Sequence, residues 1–269
     1  LEGSYARCGF VSDIELFEEY PPHSEVAAAR NHRWARGDWQ LLPWIFGRRG
    51  RDLAGVAQWK MFDNLRRSLL APSLFLLLAV GFVLEGAGAL RFALFALTVH
   101  LLPALLALVD RLRPRPNTDR GNWLRMLGDD ALLACGRTMF QLAMLPRDAL
   151  LMGDAILRTL GRLFIRQRLL EWSSAAQVQA SAQMSLASFV RIQYAALAVT
   201  SVLLFAVLLA SPPALVAAAP LLVLWYAGPL IAWRASQPMA TEEAPPEPGA
   251  GGRAHERDLQ LATRMRAFS

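Results

Sequence analysis

The chain is 269 residues long, 54% hydrophobic and 19% charged, with a mean hydropathy of +0.29. Soluble domains carry roughly 25% charged residues, and here the apolar excess is gathered into long runs almost free of charge. That pattern excludes an ordinary soluble domain, a disordered chain and a disulfide scaffold, and it indicates a membrane protein with a polar, arginine-rich remainder.

The basic balance is 28 against 22 acidic residues, and Lys60 is the one lysine. The arginines flank apolar runs instead of clustering on a soluble face. The positive-inside rule accounts for them, and nucleic acid is not an expected partner. Cys8 and Cys135 are far apart, form no metal motif and are expected to be reduced on the cytoplasmic side. The opening at Leu1 carries no methionine or signal-peptide pattern. The close at Ser269 falls partway through an amphipathic pattern, so the sequence reads as an internal piece of a longer polypeptide.

Residues 9–16 alternate apolar with polar and predict a short strand. Pro21-Pro22 breaks the pattern, and helix formers follow from Ser24 to about Arg36, with Glu25 near the start. Trp39, Leu42, Trp44, Ile45 and Phe46, bordered by Arg48, Arg49 and Arg51, suit helices lying in the headgroup region; packing on a soluble domain is the alternative. Four membrane spans are predicted at 69–84, 92–109, 192–210 and 214–233, each near the roughly 20 residues a bilayer core requires. The short connections at 85–91 and 211–213 make them two tight hairpins. Arginines precede and follow each pair, and of all basic residues only Arg91 falls in an outer loop. Both termini and the middle block are therefore expected in the cytoplasm.

In that middle block, 110–191, residues 131–146 are apolar but interrupted by Arg137 and Gln141. Asp154, Arg158, Arg162 and Arg166 then recur at four-residue steps opposite Ile156, Leu160 and Leu163. A second spanning pair here would bring several charges into hydrocarbon, at about 2.5–3.5 kcal/mol each. Interfacial amphipathic helices are the expectation. Residues 237–252, rich in Pro, Glu, Gly and Ala, read as a flexible linker.

The most informative stretch is Arg30-Asn31-His32-Arg33-Trp34-Ala35-Arg36-Gly37-Asp38-Trp39-Gln40. It resembles the Q-x-x-R-W signature of processive, membrane-embedded family-2-type glycosyltransferases, with Arg33-Trp34 as the R-W pair and Arg30 where those enzymes usually carry glutamine. That departure, with His32 and the continuation to Trp44, resembles the cyclic β-1,2-glucan synthases. Trp59-Lys60-Met61-Phe62-Asp63-Asn64-Leu65-Arg66-Arg67-Ser68 and the stretch from Leu169 through Glu171-Trp172 to Gln177 resemble the same family, so the likeness runs from residue 1 to about 235.

The resemblance implies a mainly α fold of membrane and interfacial helices preceded by the C-terminal edge of a GT-A (α/β) glycosyltransferase domain. Its divisions fall at 1–40 for that edge, 41–68 for interfacial helices, and 69–109 for the first transmembrane hairpin. The cytoplasmic amphipathic helices take 110–191, the second hairpin 192–234, and a linker toward a missing phosphorylase-like domain 235–269. The implied activity is transfer of glucose from UDP-glucose to the 2-hydroxyl of a growing glucan in the bacterial inner membrane. The partners are those two substrates, the lipid bilayer, and the transferase and phosphorylase-like domains of the same chain.

The aspartate base, and the ligands of the Mg or Mn ion, are expected upstream of Leu1, so the 269 residues alone are expected to be inactive. Arg33 is the expected diphosphate contact, with Arg30 or Arg36 in support, because a guanidinium fork holds two phosphate oxygens and stays charged. Trp34 offers a flat face for an acceptor pyranose; the competing role is an interface anchor. His32 either bonds substrate or fills a polar surface. Asp38 is expected to pair with a neighbouring arginine and Glu171-Trp172 to serve docking; His100, inside a span, either has a functional role, the default for such a residue, or satisfies a backbone group freed by Pro103. The rivals are a non-enzymatic transport or export subunit, which would place charge within its spans, and a synthase of another polysaccharide.

Overall fold

A computed structural model of the chain describes residues 23–50, 52–112, 119–165 and 185–237. Every regular element among them is helical. The strand expected at 9–16 and the Glu171-Trp172 stretch lie outside the described residues, as do Arg166 and the linker from 238 onward.

Helix α1, Ser24–Gln40, is alanine-rich and carries Glu25 in its first turn, where a carboxylate complements the helix dipole. Pro43 ends the path, and a single turn, α2 (Leu42–Ile45), follows with that proline at its start. Helix α3 runs from Gly55 to Leu84, 30 residues, about 45 Å at 1.5 Å per residue. A hydrocarbon core is about 30 Å thick, so the polar first half of α3, with Lys60, Asp63, Asn64, Arg66 and Arg67, projects beyond it. Helix α4 (Ala89–Arg111) returns. These two are long and apolar enough to cross a membrane.

The other two expected spans exist as bent pairs. Helix α6 (Leu186–Ile192) meets α7 (Tyr194–Ala210) at 62°, with Gln193 at the break. Helices α8 (Leu215–Tyr226) and α9 (Gly228–Ala235) belong to a second bent pair, turned by 45° at Ala227. Each pair passes as a span only when its halves are joined. Both hairpin tips are 3-10 turns, Gly86–Gly88 and Pro212–Ala214, and they pack on each other. Gly86 has φ +52°, a left-handed conformation that favours glycine, and sits against the Ser211 hydroxyl. Arg91, expected in an outer loop, lies in the first turn of α4 and is paired with Glu85, so it adds no net charge there.

Between the hairpins, the described residues 120–165 form one continuous helix where separate pieces were expected. Helix α5, Arg120–Ile165, has 46 residues, about 69 Å, with Pro146 inside it. Near its start Asp130 pairs with Arg111 at the end of α4. In the middle, Leu142 and Leu145 enter the apolar core with Leu74, Leu78, Val207 and Trp225. Farther on, Asp154 receives Arg158 at 2.7 Å, as the four-residue spacing predicts.

Pro146 has no N–H to give the carbonyl four residues back, which is that of Leu142. The buried Trp225 indole N–H supplies the missing bond, at 2.9 Å. The two helix breaks meet α5 just beside this point. A Cβ on Gly228 would stand 3.3 Å from the Ala143 carbonyl and 3.5 Å from Gln193 Oε1, so glycine permits the approach. His100 does not take up the backbone group that Pro103 frees: its Nδ1 lies 2.9 Å from the Ala96 carbonyl, whereas the freed carbonyl belongs to Val99.

Candidate functional site

Helix α1 uses one stripe to dock and the next to face a cleft. Glu25, Ala28, His32, Ala35 and Trp39 follow a three-four spacing that puts them on one face. Trp39 Nε1 donates to Ser68 Oγ of α3 at 2.8 Å, and His32 Nε2 lies 2.9 Å from Asp154 Oδ2 of α5. Arg147 of α5 donates to Glu25 at 2.8 Å and to the Ser24 carbonyl at 3.2 Å, and the Gln193 amide donates to the other Glu25 oxygen at 3.3 Å. The Arg147 and Glu25 side chains are 11% and 17% exposed. Such a pair resists loss of one partner far more than it contributes as a pair. The helix carrying the R-x-x-R-W element is therefore tied directly to the membrane bundle.

Arg33, Trp34, Gly37 and Asp38 occupy the adjacent face and line an open cleft of about 680 Å³. Its other walls are Asn64, Arg67 and Ser68 of α3 and Asp148, Leu151 and Met152 of α5. The Trp34 side chain is exposed, and the Arg30 guanidinium lies over its ring, 4.7 Å from the centroid. A cation on one face braces the indole by cation–π attraction and leaves the opposite face for a ligand.

Two carboxyls in the cleft are held above the ordinary aspartate range. Burial raises Asp38, partly offset by the hydrogen bond from the Asn64 amide at 3.1 Å. The amide, and not the expected neighbouring arginine, is thus its partner. Burial also raises Asp148, with Arg147 pulling it back down. On α3, Asp63 is lowered by hydrogen bonds from Arg66 and then Arg67.

Of the residues expected in the site, Arg33 and Trp34 come together in the cleft. Arg30 backs Trp34. His32 is turned to α5 and Asp154, and neither it nor Arg36 lines this cleft. Asn64 and Arg67 lie in the second family-like block, to which the sequence attached no role, and Asp148 carried no signal at all. Among the described residues no group of three or more His, Cys, Asp or Glu side chains could hold a metal ion.

No family model matches the chain. It is 38% identical, over 249 residues and 90% of its length, to the cyclic β-(1,2)-glucan synthase NdvB of Rhizobium meliloti (strain 1021). It spans only 9% of that protein. The resemblance to the cyclic β-1,2-glucan synthases, first seen in three short blocks, therefore holds across nearly the whole chain, which is similar to one small part of such an enzyme.

Proposed function

We propose that this chain is the acceptor-binding and membrane-anchoring segment of a glucosyltransferase that extends β-1,2-glucan from UDP-glucose. The observation that carries the reading is the cleft, where a braced, exposed Trp34 stands beside Arg33 against Asn64 and Arg67 of α3 and Asp148 of α5. A tryptophan face suits the apolar C–H face of a pyranose, and Asp38 with Asn64 suits its hydroxyls. In the transfer, the bond from the glucosyl anomeric carbon to UDP breaks and one to the acceptor 2-hydroxyl forms. The hydroxyl proton goes to a base upstream of Leu1, and the negative charge that collects on UDP meets the Arg33 fork. Arg30 acts through Trp34 as a positioning residue.

The apolar interior formed by Leu74, Leu78, Phe82, Val207 and Trp225 favours anchoring over conduction through the four helices.

The test uses the whole synthase. Arg33→Ala should slow glucan synthesis on the order of 10²–10³-fold, the effect of losing a preorganised donor. Arg33→Lys should rescue poorly, because an ammonium lacks the bidentate fork. Trp34→Ala should raise the KM for acceptor more than that for UDP-glucose. Near-normal synthesis by a well-expressed Arg33→Ala enzyme would refute the diphosphate role.

A further inference from the structure

A second cleft, about 690 Å³, lies between the first turns of α1 and residues 132–141 of α5. It shares Asn31 and Asp148 with the cleft of Trp34. Asn31 and Trp34 are three apart on α1 and so lie on neighbouring turns of one face. From Asp38 back to Ser24 is fourteen residues, about 21 Å of helix, a length that takes more than one sugar ring.

The two clefts offer one kind of chemistry. A glucan presents, ring after ring, an apolar face and hydroxyls that both donate and accept. The first cleft meets these with Trp34, Asp38 and Asn64. The second repeats the set with Phe140 and the Asn31 and Gln141 amides. Where they meet stands Asp148, a carboxyl that burial has raised. A hydroxyl can donate to it, and the Arg137 guanidinium in the same cleft can donate to a hydroxyl in turn.

We propose that the second cleft is a continuation subsite for the glucan, so that a polymer resting on Trp34 runs past Asn31 and Asp148 to Phe140 and Gln141. This rests on the acceptor reading above and adds to it a path along the outside of α5.

The test measures acceptor use by the whole synthase with linear β-1,2-linked gluco-oligosaccharides of increasing length, from a disaccharide to a hexasaccharide. Each subsite engaged adds at least one hydrogen bond, so the KM of the longest should lie about tenfold below that of the shortest. In the double variant Arg137→Ala, Gln141→Ala, whose side chains are both exposed, the two KM values should converge. Where the enzyme does not extend added acceptors, titration with a labelled hexasaccharide replaces KM. Binding that weakens about tenfold in the variant then supports the path, and no binding overturns it. The same length dependence in wild type and variant, or none in wild type, also overturns it and leaves the cleft to lipid headgroups. Should Trp34→Ala leave every acceptor's KM unchanged while the double variant loses length dependence, the Trp34 platform fails and the groove stands.

Discussion

His32 shows how far a side chain's neighbours decide its role. By sequence it stands beside Arg33 and Trp34; in the fold it is one stripe away and bonded to Asp154. Burial pushes the Asp154 carboxyl up, but the hydrogen bonds from Arg158 and His32 outweigh it and leave it below the ordinary value of 3.8. A carboxyl lowered on folding contributes stability that is complete above its unfolded value and lost as the pH falls through its folded one. The chain in nanodiscs should thus lose thermal stability as the pH drops below 3.8. Asp154→Asn should start lower at pH 6 and fall less steeply. Asp63, lowered by its arginines, contributes in the same sense, so the difference between the two proteins is the measurement. Equal slopes would mean that Asp154 adds nothing to the docking of α1.

Arg33 and Trp34 were legible because a spaced motif names them. Asn64, Arg67 and Asp148 were not, because what makes them a site is the packing of α3 and α5 against α1, and no local pattern encodes that. The helices divide along similar lines. Hydropathy finds residues 192–210 and 214–233 as apolar stretches and cannot see that each is broken, since a bend leaves composition unchanged. Gln193, and Gly228-Pro229 after Ala227, were the available signals. Helix α5 was read as separate pieces because Pro146 and the charges around it resemble a boundary. It continues because Trp225 satisfies the carbonyl that the proline abandons.

That exchange can be measured. Trp225→Phe keeps the ring and removes the donor, leaving the buried Leu142 carbonyl unsatisfied, and should cost about 1–3 kcal/mol. In a Pro146→Ala background the backbone N–H returns and the same substitution should cost much less. A double-mutant cycle on thermal or denaturant unfolding reads the coupling. Equal costs in both backgrounds would show that the bond is incidental.

The bundle as a whole places its two hairpin tips together, Gly86–Gly88 against Pro212–Ala214, so both hairpins point the same way. With Arg91 neutralised by Glu85 at that end, the arginine excess lies at the other, and the positive-inside rule predicts that this other end faces the cytoplasm. A cysteine at Gly88 should be labelled by impermeant reagents only from the periplasm. Cysteines in the 110–130 and 237–252 segments should react only from the cytoplasm. Periplasmic labelling within 110–130 would overturn the arrangement.

The bond between Trp225 and Leu142 joins residues 83 apart in sequence, and a chain emerging from a ribosome makes them at different times. When α5 is complete, its proline-opened carbonyl has no partner, and lipid offers none. The helix has reason to wait at the wet surface until the fourth span arrives with an indole in hand. Assembly should then run backwards relative to synthesis, the last span drawing in a helix made long before. In a chain halted after Ala210, a cysteine at Leu142 should stay open to a water-borne thiol reagent. In the full chain it should be sealed.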